Sequence, residues 1–340
     1  MKTGGTDMRK IEIDGVVRRF ANDYKAKVIS QLPDVTVKLQ ELAKFVADNN
    51  PWTDKNAIMD YIGQMVVDYS DLLTLEPKNW QIYIRKYNNV LRREPNMLIK
   101  EVNYRIKAKG GFYKGIFYER ILACLEYQGA RLILGSIHQM MGLKTCVYCN
   151  VNSTIAVEGD VMYQMDHFMP QSKYPFLGTC FYNLQPSCGI CNGHKGKKPC
   201  DFGLYVNVEQ RKELNPFRFM SIISQVPMKE NGECMDIQLR SKNKTVTEEC
   251  KKHDKMFHIH TMYSAYKSKV SELYDRCYQL NESAVNAMAA AFRIPPTKES
   301  VLSFISGNFS SDETKIHQEP FTKLQQDTIL QMKEGGLLPK

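Results

Sequence analysis

From about residue 15 to residue 142, apolar residues return every three or four positions. The segments VVRRFANDYKAKVISQL, VTVKLQELAKFVADN, AIMDYIGQMVVDYSDLL, NWQIYIRKYNNVLRR and the long FYERILACLEYQGARLILGSIHQMMG each carry this spacing and predict helices. Pro33, the NNPWTD stretch before Ala57, Glu76-Pro77 and the Gly110-Gly111 pair interrupt the pattern where new elements begin. Between Cys146 and about Pro199 the character changes, as Gly, Pro, Cys, Asn and Lys crowd together. STIAV and VMYQM, joined by EGD, predict a β-hairpin that ends at Asp166-His167, and a short helix is expected from near Cys188, carrying Asn192 and the lysines after it. Beyond residue 200, DFGLYVNVEQRKELNPFRF has little period. A second hairpin is expected from MDIQLRS and TVTEE around the SKNK turn. HTMYSAYKSKVSELYDRCYQL and KLQQDTILQMK predict two closing helices, with GNFSSDETKIHQEP as an exposed loop between them. The expected class is α+β, mainly helical, in three regions: a helical 1–143, a central 144–200, and a mixed, then helical, 201–340.

Composition narrows the class of protein. With 340 residues, 43% hydrophobic and 24% charged, the chain has enough apolar material for more than one core, which argues against disorder. The start, MKTGGTDMRKIEIDG, has no apolar signal core, and no apolar run approaches the roughly 20 residues that span a bilayer, so a cytoplasmic protein with no membrane partner is expected. Thiols stay reduced there, and ten cysteines then need a reason other than disulfides. The net charge of +9 and a pI near 8.9 favour a polyanionic partner such as nucleic acid.

Four of the cysteines have metal spacing. Cys146-x-x-Cys149 and Cys188-x-x-Cys191 form two knuckles, each presenting two thiolates, and together they complete a tetrahedral zinc site. Such a site is closed to water and substrate, so this zinc is expected to hold the fold rather than act on a substrate. Cys124, Cys180, Cys200, Cys234, Cys250 and Cys277 lack a partner spacing and read as small buried apolar residues. Cys180 and Cys200 are the two nearest the site. His253, His258 and His260 in KKHDKMFHIH have no cysteine or carboxylate at ligand spacing and read as surface and packing residues.

Between the knuckles, MDHFMPQSKYPFLGTCFYNLQPSCGICNGHKGKK contains Asp166-His167, Asn183-Leu184, Cys191-Asn192 and Lys195. In order and spacing, residues 146–198 resemble the zinc-containing branch of the HNH, or ββα-metal, nucleases. The resemblance implies a central ββα-metal module and phosphodiester hydrolysis, with DNA as the expected substrate. It makes His167 the general base and gives one Mg²⁺ or Mn²⁺ ion to Asp166 and Asn192. Asn183 would orient the base through nearby backbone. His194, two residues past Asn192, is an alternative ligand. Lys195, Lys197, Lys198 and, in the intervening loop, Lys173 would form a basic rim of phosphate contacts. Beyond this block the chain loosely resembles stand-alone bacterial HNH nucleases of anti-phage loci, such as Septu-type nuclease subunits, some of which work with a separate ATPase. No Walker-type glycine loop occurs in the sequence, so any ATP dependence belongs to a partner. One site per chain would make an oligomer useful for cutting both strands. The competing reading is a non-catalytic, zinc-stabilised nucleic-acid-binding module, which needs none of Asp166, His167, Asn183, Asn192 and Lys195.

Overall fold

A computed structural model describes residues 9–49, 55–91, 98, 101–106, 111–157, 159–207, 209, 214, 216–224, 233–241, 244–279, 282–293, 297, 305, 307 and 310–338. The expected breaks at NPWTD (50–54), at Gly110 and at Glu158 of the EGD turn lie outside these residues, as do Lys242 and Asn243 of the SKNK turn. The chain divides into two compact units, one of residues 11–141 and 154–211, the other of residues 1–10, 142–153 and 212–340. The architecture is mainly helical, and each of its sheets has two strands.

In the first unit the helices Gly15–Gln31, Val35–Asn49, Lys55–Leu72 and Trp80–Leu91 form where apolar periodicity predicts them. Asp14 caps the first, its carboxylate accepting from Val16 N at 2.9 Å and Val17 N at 2.8 Å. The helix buries Val17, Ala21, Tyr24 and Val28, one stripe along its length. The region before residue 142 is not wholly helical, however. Glu101–Ile106 and Gly111–Ile116 pair as an antiparallel hairpin. The expected long helix is also two, Phe117–Cys124 and Tyr127–Met140, broken at Glu126, whose φ is +54°. Glu is not a residue that advertises a left-handed turn, so the break leaves no mark in the pattern.

These helices carry a loop between two strands. Tyr24 donates its hydroxyl to Thr179 O at 2.8 Å and Phe181 N donates to Leu73 O at 2.9 Å. The Tyr87 ring stacks on Phe176 at 4.1 Å, and Trp80 lies 5.9 Å from Phe168. Each fully buried aromatic of this set contributes about 1.5–3 kcal/mol. The loop is thereby fixed to the helical body at several points along residues 168–181.

The predicted hairpin is present but small, Ala156–Val157 against Asp160–Val161. Gly135 lets it sit against the helix Tyr127–Met140, because a Cβ there would meet Val161 Cγ2 at 2.4 Å. The strand that bears Asp166 and His167 is a separate one, Gln164–His167. Its partner is Leu184–Ser187, in the register Gln164↔Ser187 to His167↔Leu184. The helix Gly189–Lys195 follows directly. Ile11–Glu12 pairs in parallel with Tyr205–Val206.

In the second unit MDIQLRS is a strand, Met235–Ser241, but it pairs with Phe217–Ile223 and not with TVTEE, which enters the helix Thr247–Phe257. Both strands alternate buried and less buried residues, as a sheet with one covered face requires. Ile259–Ser264 and Lys267–Gln279 replace the single helix expected there, and Glu282–Phe292 is an additional one. The loop 307–320 is in part helical: Glu313–Gln318 forms a 3₁₀ turn with Ile316 and His317 buried. The last helix, Thr322–Glu334, is polar yet buried on every side of its first two turns. Its side chains complete the open edge of a strand. Phe219 N donates to Asp327 at 2.8 Å, Ser221 N to Gln331 Oε1 at 2.9 Å, and Gln331 Nε2 to Ser221 O at 2.7 Å. Lys323 pairs with Asp327 inside this arrangement.

Candidate active site

The strand Gln164–His167, the helix Tyr127–Met140 and the end of the helix Gly189–Lys195 surround a cavity of about 560 Å³. Asp166, His167, Asn192 and Lys197 line it, together with Tyr127 and Arg131.

His167 is buried, and its Nε2 lies 2.9 Å from Gly178 O. A carbonyl only accepts, so Nε2 carries the proton and Nδ1 holds the lone pair. Burial drives the imidazole pKa down to about 4; the hydrogen bond to Gly178 and the charge of Asp166 oppose the fall, and Lys195 adds to it. The ring is neutral at neutral pH. The Tyr127 ring lies 5.1 Å from it.

Asn183 explains why Gly178 is where it is. The amide is fully buried, with Oδ1 accepting from Met169 N at 2.7 Å and Nδ2 donating to Leu177 O at 3.0 Å and Met169 O at 3.3 Å. Phe168 N donates to Asn183 O at 2.9 Å. One side chain therefore closes the neck of the loop 168–183 and fixes the residue before Gly178. Gly178 itself has no room for a side chain, since a Cβ would meet Leu122 Cδ2 at 2.2 Å and Pro175 O at 2.9 Å.

Lys195, expected on the basic rim, is fully buried. Its Nζ donates to Asp166 Oδ1 at 2.9 Å and to His167 O at 2.8 Å. It ties the last turn of the helix Gly189–Lys195 to the strand and has no access to a phosphate in this position. Lys197 does line the cavity, with Nζ 5.6 Å from the Tyr118 ring centroid. Lys173 and Lys198 are exposed and outside the lining. Asn192 lines the cavity, its Nδ2 donating to Gln164 Oε1 at 2.6 Å, which leaves Oδ1 as the end to offer a cation. His194 is not among the lining residues.

The four motif cysteines are all buried, and their sulfurs lie within 4.8 Å of one another. Zn–S bonds of about 2.3 Å put the sulfurs of a tetrahedral site about 3.8 Å apart, a spacing that lies within this limit. Each knuckle has an N–H aimed at sulfur: Val151 N to Cys149 Sγ and Cys191 N to Cys188 Sγ, both at 3.5 Å. Cys188 is also the N-cap of the helix that carries Asn192 and Lys195. Four buried cysteines this close form a site that can hold a metal ion such as zinc. Among the described residues no other group of His, Cys, Asp or Glu does.

The Cys146–Cys149 knuckle is built tightly. Asn150 has a φ of +51°, its N donates to Cys146 O at 2.9 Å, and its Nδ2 donates to Thr145 Oγ1 and Ile316 O, both at 2.9 Å. Its Oδ1 accepts from Lys323 N at 3.0 Å. Tyr263 donates to Cys149 O at 2.6 Å, and His253 Nε2 lies 2.8 Å from Tyr148 O. The signal for Asn150 in the sequence is its place directly after a Cys-x-x-Cys.

The remaining cysteines behave as packing. Cys124, Cys180, Cys234 and Cys250 are buried, and Cys200 and Cys277 half-buried. Burial pushes the Cys180 thiol up to about 12 and the Cys200 thiol up to about 11. His260 is exposed and 3.1 Å from Asp236 Oδ1. Sequence reasoning missed Arg131, which lies on a helix before the motif block.

Comparison with known proteins gives one partial likeness. Over 56 residues the chain is 39% identical to the Septu protein PtuB of Bacillus thuringiensis. The match covers 16% of this chain, and it spans about a fifth (21%) of that relative's length. No family model matches, and no solved structure does. No described helix is long and apolar enough to cross a membrane.

Proposed function

We propose that the protein is a metal-dependent endonuclease of the HNH type that hydrolyses phosphodiester bonds in DNA, with residues 144–200 as its working module. The observation that carries the reading is the state of His167. Its Nε2–H is committed to Gly178 O, its ring is kept neutral by burial, and it lines a cavity that Asp166 and Asn192 also line. A neutral imidazole held this way accepts a proton at Nδ1. As a water oxygen attacks phosphorus, His167 takes the water's proton, the bond from phosphorus to the leaving sugar oxygen breaks, and that oxygen takes a proton from solvent; Asp166 beside the ring steadies the imidazolium until it returns its proton to water. Asn183 acts at one remove, by fixing the loop that supplies the Gly178 carbonyl.

Asp166 and Asn192 would hold one Mg²⁺ or Mn²⁺ ion, sharing the carboxylate with Lys195; a hard cation prefers such oxygen donors. That ion would supply Lewis-acid stabilisation of charge on the phosphate. The strand–strand–helix order of Gln164–His167, Leu184–Ser187 and Gly189–Lys195 supports a ββα reading, and the Cys₄ cluster supports zinc as the structural ion.

The test is His167→Ala. It is expected to abolish Mg²⁺-dependent cleavage of plasmid while zinc content stays as in the parent and the protein still unfolds cooperatively. Unchanged cleavage would sink the assignment and favour a zinc-stabilised binding module. The partial likeness to the Septu protein supports extending the proposal to phage defence alongside a separate ATPase, and there His167→Ala should remove host protection in a plaque assay.

A further inference from the structure

The helix Tyr127–Met140 contributes Tyr127, Gln128 and Arg131 to the lining of the cavity, and its charged residue there is Arg131. Arg131 is half-buried. One terminal nitrogen, Nη2, donates to Val161 O at 2.6 Å and to Tyr163 O at 2.7 Å. Among the described residues the guanidinium makes no other hydrogen bond and meets no carboxylate. That sets it apart from Arg18, paired with Glu76, from Arg218, paired with Glu334, and from Lys195, whose charge Asp166 meets within the same site. A partly desolvated cation without a counter-charge is costly unless an anion joins it. Nε and Nη1 remain as donors in a rigid plane, a shape that suits two oxygens of a phosphate.

The two carbonyls that hold Arg131 belong to Val161 and Tyr163, immediately before the strand Gln164–His167. The guanidinium and the imidazole are thus referred to one short run of backbone. We infer that Arg131 binds a backbone phosphate of the polynucleotide and sets the strand against His167, with Lys197, which lines the same cavity, as a second cation. The inference rests on the nuclease reading of the cavity. It adds a substrate-binding residue from outside the motif block.

The experiment uses full-length, zinc-loaded protein carrying His167→Ala, so that bound DNA stays intact, and fluorescein-labelled single-stranded and duplex DNA as probes. Fluorescence anisotropy gives Kd over about 50 to 200 mM salt for the parent, Arg131→Gln and Arg131→Lys. A lost phosphate contact lowers the slope of log Kd against log salt by about 0.7 on single strands or 0.9 on duplex. Arg131→Gln should show that fall with roughly ten-fold weaker binding, and Arg131→Lys should restore the slope. Gln keeps a donor for the Val161 and Tyr163 carbonyls, and melting temperatures separate a folding defect from a lost charge. An unchanged slope in Arg131→Gln overturns the inference, as does equal loss of binding in both variants with the slope retained. Cleavage by the protein with His167 intact distinguishes the two levels. If it cuts DNA while Arg131→Gln leaves the slope unchanged, only the role of Arg131 falls; if it neither binds nor cuts, the nuclease reading falls as well.

Discussion

Replacing Lys195 with Met keeps most of the aliphatic stem and removes the ammonium that bonds Asp166 Oδ1 and His167 O. Both side chains of the pair are buried, at 0% and 3% exposure, so water cannot take over the lost contacts. Breaking a buried pair by removing one partner costs about 3–5 kcal/mol, because the remaining charge is stranded. For a unit of this size each kcal/mol moves the melting temperature by about 2–4 °C, which puts the expected fall at roughly 6–20 °C. Scanning calorimetry of the zinc-loaded protein without added Mg²⁺ measures it. Asp166→Asn should also destabilise, and the double variant Lys195→Met/Asp166→Asn should be more stable than the sum of the two losses, because no charge is then stranded. A loss below about 1 kcal/mol for Lys195→Met, with strictly additive behaviour in the double variant, would refute the claim that this ion pair holds the helix Gly189–Lys195 to the strand.

Two further outcomes test other parts of the molecule. Asn150→Ala removes the bonds to Thr145, Ile316 O and Lys323 N and places a Cβ residue without a polar side chain at φ +51°; release of zinc to a colorimetric chelator should be faster than from the parent, and Asn150→Gly, which relieves only the backbone strain, should not restore the parent rate. Acid should destabilise the fold through its buried histidines: burial lowers His138 to about 3, and His253 and His317 to about 4, against 6.5 in the unfolded chain. Because the unfolded state binds the protons that the fold refuses, stability is full above pH 6.5 and falls as the pH drops, by about 2 kcal/mol per histidine at pH 5. Urea midpoints across that range should show the fall, and His138→Leu should flatten it by one histidine's share; an equal slope in both proteins would contradict the assignment.

The cysteine knuckles could be read from the sequence because ligand spacing is a local property. The same holds for the first helices, where Val17, Ala21, Tyr24 and Val28 mark a single buried face. What could not be read depends on distant partners. The strand Met235–Ser241 is legible, but its partner is not: TVTEE is the nearer β-rich segment, and the Phe217–Ile223 strand lies across a longer connection. Lys195 reads as a surface residue among Lys197 and Lys198, since nothing local says that Asp166 will meet its charge. The polar helix Thr322–Glu334 misleads in the same way. Its Gln and Asp side chains look solvated in the sequence, and they are spent on the open edge of a strand. Arg131 sits on an ordinary amphipathic helix, and only the fold brings that helix to the cavity.

Asn183 has a consequence for how this chain can change. By closing the neck between Met169 and Leu177 it makes the intervening segment a self-contained ring, cross-linked without a covalent bond. An insertion beside exposed Lys173 would enlarge the ring and leave its closure alone. A deletion between Gly178 and Asn183 would shorten the arm that reaches the imidazole and pull the carbonyl off its nitrogen. The chain thus separates a place where length can be altered from one where it cannot, a few residues apart.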